Sequence, residues 1–376
     1  MSTTRVPFID LGRLVRTVRD PVVDDFAGII DRCEFVGGPT VKKLEERLAA
    51  LLGSANVVSC ANGTDALIAG LEAFELPPGS KIALPNLTFW ATYEAIVQAG
   101  HVPVLVDVDP VDLQMSFDQF RSAWNEHRFA GAILPHLYGW ASARLREFRA
   151  FCKEQGIRLL EDGAQCFGVE AFGEPVLAGA EIATLSFYPA KVVGGAMDGG
   201  AVLARDKHTA DLVRSLCNHG RSSHYSYSHV GWNSRMGGLQ AAFISRILDQ
   251  LPFVLESRRA AMEHYRAFAA EHRDAIDFVA PPDGIVGNGY LATFLAKGTT
   301  GEELAKALAE RGIGAARTYP ETMDQQPPAS GAIRAGDLST SRSICARVVN
   351  LPLFAGITLD ECRLATDALA QILAAR

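Results

Sequence analysis

The sequence has no uninterrupted apolar run approaching the roughly 18 residues that a membrane-spanning helix needs, so no bilayer-crossing segment is expected. It has no basic excess. Its 36 Lys and Arg face 43 Asp and Glu, for a net charge of −7 and a pI of about 5.8. That balance argues against nucleic acid as the main partner, while leaving room for local basic pockets. CxxC and HExxH are both missing, so no metal site is expected. The cysteines (Cys33, Cys60, Cys152, Cys166, Cys217, Cys345 and Cys362) are odd in number and lack paired spacing, which fits a reducing compartment. The start, MSTTRVPFIDLGRL, has no apolar signal region, and the cytoplasm is the expected location. Neither a GxGxxG after an early strand nor a GxxxxGK[ST] occurs, which removes the dinucleotide fingerprint and the P-loop. Internal repeats and low-complexity tracts are also missing.

What is present suits a soluble globular chain of two domains. It has 376 residues, 48% of them hydrophobic and 21% charged. Short apolar runs at Asn56–Cys60, Lys81–Leu84, Val102–Val106, Gly131–Leu134, Arg158–Glu161, Ala183–Phe187 and Gly200–Ala204 read as strands. Helical patterns such as Thr64–Ala73, Trp90–Gln98 and Ala143–Gln155 separate several of them. This alternation predicts an α/β large domain over residues 1–230, with a mostly parallel seven-stranded sheet covered on both faces. Residues 231–376 read as a smaller α+β domain that includes a long connecting helix. Met236, Leu239, Phe243 and Ile247 mark one face of that helix, and Pro252 is expected to kink or break it. Thr300 with Glu303, and Thr358 with Glu361, have the spacing of helix starts. Gln325–Thr340, rich in Pro, Gly, Ser and Ala, reads as loop.

Ligands of open α/β sheets bind beyond the carboxyl ends of the strands. The chemically loaded residues fall there: Asn62–Asp65, Thr88–Trp90, His136–Gly139, Asp162–Gln165 and Ser186–Lys191. A lone lysine is usually a solvated surface group. Lys191, however, follows an aromatic strand end and precedes Gly194, Gly195, Gly199 and Gly200, where backbone can approach a ligand closely. A desolvated lysine there can form a Schiff base with an aldehyde. Asp162 is either a solvated strand end or a partner for a protonated ring nitrogen. Gln165, in the same loop, is within reach of a ring hydroxyl. Gly63 and Thr64 lie where a helix N-terminus would bind an anion, although a plain N-cap by Asn62 or Thr64 is the commoner use. Ser186 would add a donor. Phe89 or Trp90 would stack on a ring or pack in the core. His136, Tyr138, His219 and Arg221 are polar groups of the kind that line pockets. A lysine, an aspartate and an anion site together are what pyridoxal phosphate needs.

In their order and spacing, FVGGPTVKKLEERLA, NGTDAL, PNLTFWAT, PHLYG, EDGAQ, SFYPAK, DGGAV, NHG, GWNSRMGGLQAA and TYP resemble the DegT/DnrJ/EryC1/StrS sugar aminotransferases. The likeness runs from Pro7 to the NLPLF at Asn350. It implies the fold-type-I architecture of pyridoxal 5′-phosphate enzymes. It implies that Lys191 carries the cofactor and moves protons, and that Asp162 meets the pyridine nitrogen and Gln165 the ring hydroxyl. Phe89 would stack on the ring, and Gly63, Thr64 and Ser186 would hold the phosphate. Asn233 would reach the phosphate in a neighbouring subunit, which implies a homodimer with shared sites. Tyr319 would face the substrate. The implied reaction moves an amino group from L-glutamate to a nucleotide-linked keto sugar. The DGG at Asp198–Gly200 and the NSR at Asn233–Arg235 are similar to the branch that aminates C3, with C4 as the alternative. Gly163 and Thr318 depart from the common pattern. A non-catalytic regulator on the same fold is the alternative from another class.

Overall fold

Residues 5–375 are described by a computed structural model; residues 1–4 of the start read above, and residue 376, lie outside it. The expected apolar runs all become strands: β1 (Asn56–Cys60), β2 (Lys81–Pro85), β3 (Val102–Val106), β4 (Gly131–Pro135), β5 (Arg158–Asp162), β6 (Ile182–Ser186) and β7 (Gly200–Ala204). Later come β8 (Ile276–Phe278), β9 (Ala292–Ala296), β10 (Ile333–Ala335) and β11 (Val348–Leu351). The large sheet runs β1-β7-β6-β5-β4-β2-β3-β10. Only β7 is antiparallel to its neighbours, β1 and β6.

Side chains alternate across this sheet, as the pleat requires. Val57, Val104, Ala132, Leu134, Leu159 and Leu185 enter one core. Val58, Leu105, Ile133, Leu160 and Val202 enter the other. Helices α1 (Leu11–Asp31), α2 (Gly38–Leu52), α5 (Phe117–His127), α6 (Leu145–Gln155) and α8 (Gly238–Asp249) cover the first face. Helices α3 (Gly63–Glu72), α4 (Trp90–Gln98) and α7 (Lys207–Leu216) cover the second. Both faces are therefore dry, which explains strands that read as unbroken apolar runs.

A third core joins α9 (Leu251–Glu271), α10 (Gly301–Glu310), α12 (Leu359–Ala374) and the small antiparallel sheet β8-β9-β11 around Tyr265, Phe294, Leu308, Val349 and Leu369. The helix break foreseen at Pro252 occurs between α8 and α9, with the proline in the first turn of α9, where its missing N–H costs nothing. The expected division at 230/231 falls just before α8, yet α8 gives Phe243, Ile244 and Ile247 to the large-sheet core. At the other end of the chain, Arg13 of α1 makes a two-pronged ion pair with Glu361 of α12, both contacts at 2.8 Å.

The sheet has eight strands rather than seven. The additional one, β10, lies inside Gln325–Thr340, which was expected to be loop, and pairs in parallel with β3. A buried polar hub holds this segment in place. Asn86 donates to Asp324 Oδ1 and Ser341 Oγ, each at 2.9 Å. Asp107 accepts the backbone N–H groups of Thr340 and Ser341 at the start of α11 (Ser339–Arg347). These polar contacts leave no apolar periodicity to read.

Candidate active site

The carboxyl ends of β1, β2, β4, β5 and β6 open into one cavity of about 870 Å³. Gly63, Thr64, Phe89, Asp162, Gln165, Ser186, Lys191 and Tyr319 all line it. Asn62 caps α3 by accepting the Asp65 N–H at 2.7 Å, which leaves the Thr64 hydroxyl uncommitted at the helix N-terminus. A Cβ on Gly63 would lie 2.8 Å from Ser186 Cβ, so only glycine lets these two segments meet. Phe89, 55% exposed, precedes α4 and lies 6.0 Å from the Tyr319 ring, centroid to centroid.

Lys191 follows the turn after β6. Its Nζ donates to Tyr290 Oη at 3.4 Å and sits 5.1 Å from the centre of that ring. The glycines after it serve the protein more than a ligand. A Cβ on Gly195 would strike Gln240, whose side chain clamps the turn through Ala196, Met197 and Asp198. A Cβ on Gly200 would meet the Asn62 carbonyl at 2.2 Å. The room those two glycines leave is thus filled by the fold itself.

Asp162 ends β5 almost wholly buried. Its Oδ1 accepts the Ala164 N–H at 3.0 Å, and its Oδ2 accepts the Thr92 hydroxyl at 3.2 Å. Burial pushes its carboxyl above the ordinary value, opposed by the Ala164 N–H, the Lys191 charge and the Thr92 hydroxyl. A cation is therefore welcome beside it. Gln165 is fixed at both ends of its amide. Its Oε1 accepts the Tyr138 N–H at 2.7 Å, and its Nε2 donates to Tyr319 Oη at 2.9 Å. Burial also raises the Tyr319 phenol, which stays protonated. Beneath Asp162, His136 meets Glu161 at 2.9 Å, and Glu161 takes both prongs of Arg149. Burial works to raise Glu161, but the His136 and Arg149 hydrogen bonds outweigh it and hold the carboxyl below its usual value.

Several expected residues lie elsewhere. Asn233 does not line the cavity; it is exposed, and its Oδ1 accepts from the Arg235 guanidinium. Trp90 stacks on Tyr93 at 4.8 Å, and Tyr138 is buried in the first core. Neither of them lines the cavity, and neither do His219 and Arg221. Of that polar group only His136 does.

Other groups escaped the sequence reading. Thr92 orients Asp162, Tyr290 touches Lys191, and Arg258 of α9 forms part of the wall. Phe8, Ile9, Leu11, Leu14 and Val15 add an apolar wall from the start of the chain. Ser234, buried within NSR, accepts the Ala61 N–H at 3.0 Å, which explains a small hydroxyl residue there. Among the described residues no group of His, Cys, Asp or Glu has the arrangement to hold a metal, and no helix is long and apolar enough to cross a membrane.

These groups fit pyridoxal phosphate. A phosphate matches the open N-terminus of α3 with the Thr64 and Ser186 hydroxyls, a ring cation matches the buried Asp162 carboxyl, and an aldehyde matches the Lys191 amine.

The chain matches the DegT/DnrJ/EryC1/StrS aminotransferase family over residues 20–370. It is 32% identical over 367 residues to a UDP-N-acetyl-3-dehydro-α-D-glucosamine 3-aminotransferase of Acidithiobacillus ferrooxidans, covering 97% of each chain. It is 30% identical to a pleiotropic regulatory protein of Geobacillus stearothermophilus, covering 97% of this chain and 98% of that one. The X-ray structure of S. venezuelae DesV superposes with a TM-score of 0.93 at 27% identity, covering 99% of each chain. With cavity, fold and sequence in agreement, this chain belongs to the DegT/DnrJ/EryC1/StrS aminotransferase family, and it is a pyridoxal-phosphate-dependent aminotransferase.

Proposed function

We propose that the protein moves the amino group of L-glutamate to C3 of a nucleotide-linked 3-keto sugar. The observation that carries this reading is the meeting of Lys191, Asp162 and Gln165 in one cavity of a chain 32% identical to a 3-aminotransferase.

When bound, the cofactor supplies an electron sink and carries the amino group between the two substrates. In this reading Lys191 Nζ takes the proton from the donor's α-carbon, and Tyr290 Oη steadies the amine between transfers. Asp162, oriented by Ala164 and Thr92, keeps a proton on the ring nitrogen. Gln165, locked by Tyr138 and Tyr319, fixes the ring hydroxyl. Thr64 and Ser186 bind phosphate beside Gly63, and the Phe89 ring covers one face. Tyr319, held by Gln165, also lines the cavity in which the sugar would lie. Asn233, exposed outside the cavity of its own chain with its Oδ1 held by Arg235, would complete a neighbour's site in a homodimer through its Nδ2.

The test gives purified protein glutamate with matched 3-keto and 4-keto nucleotide sugars and identifies the product by NMR. Amination at C3 alone supports the reading, and amination at C4 alone overturns the regiochemistry. The relative named as a regulator makes a second reading worth testing. Protein that never develops the absorption of a lysine-bound cofactor would support that one.

A further inference from the structure

One end of the cavity has no part in the chemistry above. Phe8, Leu11 and Val15 from the start of the chain, Phe243 and Ile247 of α8, and Phe354 after β11 line it. They are neighbours: the Phe8 carbonyl accepts the Leu353 N–H at 3.4 Å, Arg13 lies over the Phe354 ring at 4.9 Å, and α1 packs along α8. Polar groups on these three stretches are already committed. Their one ionisable lining residue is Asp10: its Oδ1 accepts the Arg13 N–H at 3.2 Å, and its Oδ2 lies 3.5 Å from Arg13 Nε. The Arg13 guanidinium is in turn taken by Glu361 and the Gly356 carbonyl. A diphosphate or a sugar hydroxyl finds no free side-chain cation or donor on these stretches.

The apolar groups differ in how far they are closed off. Ile247 and Phe354 are each 2% exposed, whereas Leu11 is 44% and Val15 38% exposed. Phe243 and Ile247 belong to the large-sheet core and Phe354 to the third core, so the two cores meet across this end. Simple packing of one core on the other would bury Leu11 and Val15 as well. They stay uncovered on a concave wall, the arrangement of an apolar binding site. Its reach follows from α8. Gln240 clamps the turn after Lys191, and Ile247 lies two turns further along the helix, about 10 Å away. Leu11 to Val15, and Phe243 to Ile247, each span roughly one turn, about 6 Å. That length exceeds a methyl group and matches a short aliphatic chain.

We propose that this end is an apolar subsite that takes a short alkyl or acyl chain carried by the acceptor sugar. It rests on the keto-sugar reading above and narrows it: the sugar ring is handled at Lys191, and a hydrophobic substituent two helical turns away fixes which sugar enters. Val15 and Ile247 are then specificity residues, and they touch no reacting atom.

The experiment has two readouts on wild type, Val15→Gln and Ile247→Ala, each checked for helix content, thermal melting and cofactor loading. The first is kcat/KM with glutamate and matched 3-keto nucleotide sugars whose neighbouring amino group carries acetyl, hexanoyl or succinyl. Rates are compared as the hexanoyl-to-acetyl ratio, so a general loss of activity cancels. Wild type is expected to favour hexanoyl by at least about 10-fold, within the ceiling of about 4-fold per fully buried methylene, and to reject the charged succinyl. In Val15→Gln and Ile247→Ala the ratio falls by about 3- to 10-fold. The second readout is binding of hexanamide, followed by ligand-observed NMR with and without cofactor. Wild type binds it saturably, and Val15→Gln about 3- to 10-fold more weakly. A wild-type ratio of one or less, equal use of succinyl and hexanoyl, or ratios unchanged in the folded variants overturns the proposal. So does wild type that fails to bind hexanamide, as it would if a second copy of the chain covered this end. Failure of the sugar reading looks different: no keto sugar is aminated, yet hexanamide binds and Val15→Gln weakens it. If both variants fail to fold, the wild-type ratio and wild-type hexanamide binding decide alone.

Discussion

The two walls of the cavity are built in different ways. The sheet wall takes its groups from strand ends, each within a short local stretch: Asn62 to Thr64, Phe89, Asp162 to Gln165, and Ser186 to Lys191. The opposite wall takes Phe8, Arg258, Tyr290, Tyr319 and Phe354 from five separate stretches. One wall is dictated by topology, because every strand delivers its loop to the same edge. The other is assembled by tertiary packing, and motifs mark only part of it, Tyr319 in TYP and Phe354 in NLPLF. We assign the cofactor's chemistry to the first wall and the choice of substrate to the second.

Substitutions that break this contrast rank by which wall they touch. The largest effect is expected at Lys191. Lys191→Ala should lower turnover by at least about 10³-fold, in the range of a lost general base, with cofactor phosphate still bound, as dialysis against the free cofactor would measure. Asp162→Asn comes next. It should cost roughly 10- to 100-fold in kcat, the scale of one charged hydrogen bond, read by steady-state assay.

The same substitution should stabilise the cofactor-free protein. The Asp162 carboxyl is raised by burial, so its contribution is complete below its ordinary value of 3.8 and is lost as pH rises through the folded value. Melting curves of the cofactor-free forms should therefore separate at neutral pH, with the variant higher, and converge below about pH 4.

Tyr290→Phe tests the second wall. Losing the one long hydrogen bond from Lys191 should cost about 2- to 10-fold, mostly in the donor half-reaction, as stopped-flow absorbance would resolve. The smallest effect is far from both walls. Arg13, hydrogen-bonded and close in charge, holds the Glu361 carboxyl down at about 2. Stability from this pair is complete above 4.5 and is lost as pH falls toward about 2. Because the pair is partly exposed, Glu361→Gln should cost only about 0.5–1 kcal/mol at neutral pH, a difference that urea unfolding should find gone near pH 2. Glutamine can keep the helix cap with Thr358, so the loss isolates the ion pair.

The same contrast decides what was legible in the sequence. The seven strands were readable because both faces of the sheet are dry and each strand is a short apolar run. β10 was not: it has three residues, and a partner more than 200 residues away in β3 pairs it. Lys191, Asp162 and Gln165 were legible because strand ends concentrate chemistry. Arg258 was not, since it stands beside Arg259 in one helix and only packing decides which is buried. Tyr290 was not either, since it stands just outside β9, which begins at Ala292. The glycines after Lys191 were read as a close approach to a ligand, whereas the groups that approach Gly195 and Gly200 are Gln240 and Asn62.

Everything assigned to the first wall hangs on one amine. Borohydride reduction of the cofactor-loaded protein, followed by peptide mass spectrometry, would fix the cofactor to the lysine that holds it. The account predicts the label on Lys191 alone; a label on any other lysine, or none, would contradict it.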